Sequence, residues 1–224
     1  MKRSSPTGRA AALALAAAVA LAAGARSLAA ISPPESDART FVQSTIDEVL
    51  AILRNKSIPL EEKKQKVEAI AYERFDFELM SRLVLARNWS KFSPKQQTDF
   101  VDAFKKHLSA TYRDTLNTFR DETIDITGSR LEKNDDVTVM TVVKGSADDT
   151  KVDYRMRKGD DGWRGIDVII EGVSLVQNFR SQAQEIVSAE GPDGLIQKLR
   201  AKQLKSPHKA SSANARQDAG ARSS

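Results

Sequence analysis

Apolar and polar positions alternate along this chain with two different periods, and the change between them divides the sequence. Phe41, Val42, Ile46, Val49, Leu50 and Leu53 recur at three- and four-residue spacing, which predicts a helix with one apolar face behind a Pro-containing lead-in over residues 31–37. Pro59 opens a second helix, with Glu61 and Glu62 in the first turn where the helix dipole favours acids. A third is predicted near residues 76–86, with Phe77, Met80, Leu83 and Val84 on one stripe. In the fourth, Ser93, Pro94 and Gln96 fit the N-cap, N1 and N3 positions of a capping box. Phe100, Phe104, Leu108, Tyr112 and Leu116 then repeat every four residues.

After Phe119 the period falls to 2. Ile124 and Ile126 alternate with polar neighbours, and Val137, Val139 and Thr141 share one face opposite Met140 and Val142. Val152, Tyr154 and Met156 alternate with Asp153, Arg155 and Arg157, the pattern of a half-buried strand. Residues 159–162 read as a hairpin turn, and Trp163 begins a strand ending in Ile166, Val168, Ile169 and Ile170. Ser174 and Gln177 repeat the capping-box spacing before a helix carrying Leu175, Val176, Phe179 and Ile186. Gly191 and Pro192 then punctuate, and Leu195, Ile196 and Leu199 mark a last short helix. Helices, then about four antiparallel strands, then helices predict an α+β fold with the helices packed on one face of a curved sheet.

The ends of the chain read differently. Lys2, Arg3 and Arg9 precede an apolar run over residues 10–23, with Ser27 and Ala29 at −3 and −1 of a cleavage site. A run of about 15 residues, mostly alanine, is short of the roughly 20 that cross a bilayer, so residues 1–29 are expected to be a cleaved export signal. Residues 30–204 form one domain, and residues 205–224 are a polar tail without apolar periodicity, expected to be disordered. Charge follows the same division. The whole chain carries +5; without the signal it carries +1, and without the tail the folded part carries −2. The basic pI therefore belongs to the ends, and no nucleic-acid partner is expected. With no cysteine, the exported domain has no disulfide framework and needs a core that stands alone.

Candidate chemistry is sparse. His107 sits mid-helix beside Lys105 and Lys106, and His208 lies in the tail. No His spacing suits zinc, and no nucleophile elbow or Gly-rich phosphate loop occurs, so neither a catalytic residue nor a metal site is assigned. The acid pairs Asp135–Asp136, Asp148–Asp149 and Asp160–Asp161 fall between strands, where turn chemistry accounts for them. What remains is apolar surface around a small sheet. On periodicity alone a well-filled core is the default reading, because amphipathic elements pack onto each other.

The run DVIIEGVSLVQNFRSQ at residues 167–182 closely resembles the signature of the MlaC-type, or toluene-tolerance, family of periplasmic phospholipid-binding proteins. There the last strand enters a helix through Glu-Gly-Val-Ser-Leu, followed by Asn-Tyr-Arg; Phe179 stands for the tyrosine here. Leu85-Ala86-Arg87-Asn88-Trp89, with the Ser93–Gln97 helix start and Phe100, is similar to a second family segment, although Ala86 and Asn88 replace its Gly and Tyr. Asp153–Met156 and Gly162-Trp163 match a third, and the likeness spans residues 41–203.

The resemblance implies an apolar cavity between curved sheet and helices that takes acyl chains, with phospholipid as cargo and no cofactor. It implies a periplasmic carrier serving an ABC-type lipid transport system that maintains outer-membrane lipid asymmetry. Its docking partners would be an inner-membrane MCE-domain transporter complex and an outer-membrane lipoprotein complex, met by a monomer. The expected lining combines Phe77, Met80, Leu83 and Val84 with Phe100, Phe104, Leu108 and Tyr112 from the helices. Val139, Tyr154, Met156, Val168 and Ile170 would come from the sheet, and Val173 and Val176 from the junction that follows. The alternatives are an enzyme or a structural adaptor on a similar cupped-sheet scaffold.

Overall fold

The computed structural model describes residues 32–145 and 149–206; the export stretch, Asp148, His208 and the tail after Ser206 lie outside it. Helix α1 (Pro33–Arg54) begins inside the expected lead-in. The Glu35 carboxylate accepts from the Ser32 N–H at 3.2 Å and from its hydroxyl at 2.6 Å. Pro33 and Pro34 fill the first helical positions, where a missing N–H costs nothing. Its buried stripe is Ala38, Val42, Ile46, Leu50 and Leu53. α2 (Leu60–Arg74) buries only Lys64 and Ile70. α3 (Phe77–Leu85) is capped by Asp76, whose Oδ1 accepts from the Leu79 N–H at 2.8 Å. A 3₁₀ segment, Ala86–Lys91, leads to α4 (Pro94–Tyr112), which carries the expected Ser93/Gln96 capping box and continues as 3₁₀ through Arg113–Thr118.

The sheet runs in sequence order, fully antiparallel: β1 (Thr123–Leu131), β2 (Val137–Lys144), β3 (Thr150–Gly159), β4 (Gly162–Ile170) and β5 (Val173–Ser174). The fifth strand corrects the expected four. Glu171 and Gly172 both take positive φ (49° and 79°), a turn that folds the chain back so that Val173 pairs with Ile170. Two residues are too few to show a period in the sequence.

Register decides which side chains meet the helices. Ile124 and Ile126, Val137 and Val139, Tyr154 and Met156, and Val168 and Ile170 fall on one face, with bulges at Thr127 and Ile166 keeping the faces consistent. Two apolar clusters form on that face. One joins α1 to β2, β3 and Trp163; the other joins α3, α4 and the last helix to Val168 and Ile170. Gly165 ties the link between α2 and α3 to the sheet, its carbonyl accepting from the Asp76 N–H at 2.9 Å.

α5 (Leu175–Arg200) is two helical stretches meeting at Gly191 (φ 72°, ψ −175°), the expected punctuation point. The packed chain runs two residues past the expected end of the domain. Leu204 is buried, the Gln182 side chain hydrogen-bonds both the N–H and the C=O of Lys205 at 2.8 Å, and the Ser206 hydroxyl meets that of Tyr112 at 2.6 Å. Composition carries no trace of such pairings. Among the described residues, no helix is long and apolar enough to cross a membrane.

Candidate functional site

Between the helices and the sheet the packing is incomplete. A lobe of about 240 Å³ lies between α2, α4 and β4, walled by Val67, Phe75, Phe77, Met80, Leu108 and Val168. A second, of about 150 Å³, lies under α1 and α2, against Val42, Ile46, Ile70, Ile124, Tyr154 and Met156. A third, of about 350 Å³, opens between the end of α1, the 3₁₀ segment after α4 and the sheet, against Leu53, Leu116, Phe119, Val152 and Ile170. The lobes share walls. Val67, Ala71 and Phe75 belong to the first and second, Tyr112 and Leu116 to the first and third, and Val49 and Ile124 to the second and third. The first two are almost wholly apolar and the third mostly so, and the third reaches the size of ligand pockets, about 300–1,000 Å³. Consistent with this, Phe75, Phe77, Tyr112, Val168 and Ile170 stay only partly buried although they pack at the core.

The lining residues expected from sequence separate into three sets. Phe77, Met80, Leu108, Tyr112 and Val168 are on the first lobe, Tyr154 and Met156 on the second, and Tyr112 and Ile170 on the third. Tyr154 and Met156 face α1 rather than the stripes of α3 and α4. Burial pushes the Tyr154 phenol up to about 12, so it stays a neutral hydroxyl. Val84, Phe100, Phe104, Val139 and Val176 are fully packed and line none of these lobes. Phe104 stacks on Phe100 at 5.8 Å and meets Phe179 edge-on at 5.4 Å, so α5 fills the space that the α4 stripe leaves there. Leu83 packs beside that core, and Val173 is 46% exposed on β5. The sequence reading missed the walls from α1 and α2, namely Val42, Ile46 and Val49 with Val67 and Ala71. The α1 stripe was visible in the sequence; its long-range placement against the sheet was not.

Two polar groups singled out in the sequence are engaged structurally. Asp136, read from sequence as a turn residue, is buried and takes a two-pronged ion pair from Arg157, at 2.6 Å and 2.8 Å. Arg157, on the face of the sheet opposite Met156, is thereby tied to its own sheet. His107 is 2% exposed, not solvated, and meets the Phe179 ring edge-on at 5.5 Å. No group of His, Cys, Asp and Glu among the described residues could hold a metal ion.

Comparison with known proteins adds the decisive observation: residues 43–201 match the family model described as MlaC protein. The chain belongs to the MlaC family. A solved structure of similar shape is that of the phospholipid-binding protein from Ralstonia solanacearum, in complex with a phospholipid. It is 30% identical, with a TM-score of 0.68 over 75% of this chain and 98% of that one. The span matched by the MlaC model contains all five strands and the walls of all three lobes except Phe41 and Val42.

Proposed function

We propose that this chain is a periplasmic phospholipid carrier that holds acyl chains in the three-lobed cavity and performs no chemistry on them. It serves an ABC-type lipid transport system that maintains outer-membrane lipid asymmetry. Its partners are an inner-membrane MCE-domain transporter complex and an outer-membrane lipoprotein complex. The observation that carries the reading is the cavity itself, whose apolar lobes share walls beneath the helices. Similarity to a protein solved with a phospholipid supports it.

The energetics fit a carrier. Each methylene taken out of water is worth roughly 0.8 kcal/mol, so long chains resist release unless an apolar environment continues into the acceptor. Interdigitating apolar walls supply that without selecting one tail, and the flexible Met80 and Met156 in the lobes adapt to varied chains.

The test is an organic extract of the secreted protein, read by mass spectrometry. Intact diacyl phospholipid should co-purify with the wild type, and Val168→Lys should lose it while still being secreted and folded by circular dichroism. A wild type free of lipid, or a folded Val168→Lys variant with undiminished lipid, would overturn the proposal. Lyso-lipid in place of intact lipid would point to a hydrolase.

A further inference from the structure

The first lobe is apolar at its deep end, where Met80 and Leu175 are buried, and turns polar towards solvent. Lys64, Glu68, Ser109 and Arg113 complete its lining there. Lys64 is unusual, because its side chain is only 8% exposed beside an apolar chamber. Its ammonium donates at 2.7 Å to Glu61, a carboxylate on the same helix that is 66% exposed. The other oxygen of Glu61 accepts from Arg113 at 2.6 Å, and the second guanidinium nitrogen of Arg113 lies 3.6 Å from Glu68. Glu68 is already engaged, accepting from the Tyr72 hydroxyl at 2.5 Å and from the Ser109 hydroxyl. Two cations at the mouth of the chamber therefore share one exposed carboxylate.

We infer that Arg113 and Lys64 form a binding site for the phosphodiester of a lipid whose chains fill the lobe, and that Glu61 occupies that site when the chamber is empty. The inference rests on the carrier reading and adds what holds the head group. An ion pair with an exposed side chain is weak, whereas the planar fork of arginine matches a phosphate with two parallel hydrogen bonds. A buried ammonium gains most from an anion that arrives with its own apolar body and excludes water, which a lipid does and Glu61 does not. Arg113 begins the 3₁₀ segment after α4 while Lys64 and Glu61 lie on α2, so the exchange takes place where the two walls of the lobe meet.

Full-length protein stripped of lipid is offered vesicles of phosphatidylethanolamine and phosphatidylglycerol, and separately diacylglycerol with the same chains, and uptake is read by mass spectrometry. Arg113→Gln should lower phospholipid uptake about tenfold and leave diacylglycerol uptake unchanged. Arg113→Lys, which keeps the charge but loses the fork, should recover only part of the loss, and Glu61→Gln, which removes the competitor, should raise phospholipid uptake above wild type. The inference is overturned if Arg113→Gln takes up phospholipid like the wild type, or loses both lipids equally. It is also overturned if the site takes inorganic phosphate while ignoring the lipid phosphodiester. A wild type that takes up neither lipid overturns the carrier reading itself.

Discussion

Asp167 shows how a single side chain ties strand to helix. It is 4% exposed and accepts from the Val176 N–H at 3.0 Å and from the Ser174 hydroxyl, capping α5 from the neighbouring strand β4. Burial nevertheless outweighs these donors and holds its carboxyl above the ordinary aspartate range. The native state then binds this proton more tightly than the unfolded chain. Its contribution to stability is complete below the ordinary aspartate pKa and is lost as pH rises through the folded value. Asn lacks that dependence, so Tm of the wild type minus Tm of Asp167→Asn should fall as pH rises above the ordinary aspartate value of about 4. A difference that widened with pH would mean that the donors from Ser174 and Val176 dominate. Gly165 makes a second single-residue case. A Cβ there would sit 2.5 Å from two atoms of the Phe75 ring. Gly165→Ala should cost about 1–3 kcal/mol in denaturant unfolding, the usual cost of overpacking. Because Phe75 walls two lobes, the variant should also change the amount of co-purifying lipid.

Among the elements, those written in local chemistry were legible in the sequence. The Ser93 capping box and the four-residue repeat after it located α4, and the alternation of Val152, Tyr154 and Met156 located β3 with its correct faces. The start of α1 used the same Ser-x-x-Glu chemistry at Ser32 and Glu35, but the intervening Pro33 and Pro34 read as a lead-in rather than as first-turn residues. The site was harder. The α4 stripe is apolar along its whole length, yet only Leu108 and Tyr112 reach the cavity, because α5 covers Phe100 and Phe104. Nothing within α4 distinguishes the two halves; the difference lies in what packs against each. α2 gave the weakest signal, since few of its residues are buried, although Val67 and Ala71 divide two lobes.

For the whole molecule, the consequence is a division of labour between filled and unfilled regions. The Phe100–Phe104–Phe179 group is solid packing, and Phe104 is 0% exposed. Phe104→Ala should therefore destabilise the protein by about 3–5 kcal/mol and leave lipid per folded molecule unchanged. Phe77 is only half-buried and faces the first lobe. Phe77→Ala should cost about half as much, because little packing is lost there, and should shift the bound lipid towards longer chains. Chemical denaturation and mass spectrometry on the same two preparations check both, and an exchange of the two phenotypes would contradict the assignment.

Phe75 gives this hollow interior a further property. Standing at the boundary of the first and second lobes with β4 directly behind it, its ring acts as a bulkhead between compartments. A forked guest can straddle such a partition with one branch on each side, while an unforked guest fills one compartment and leaves the other vacant.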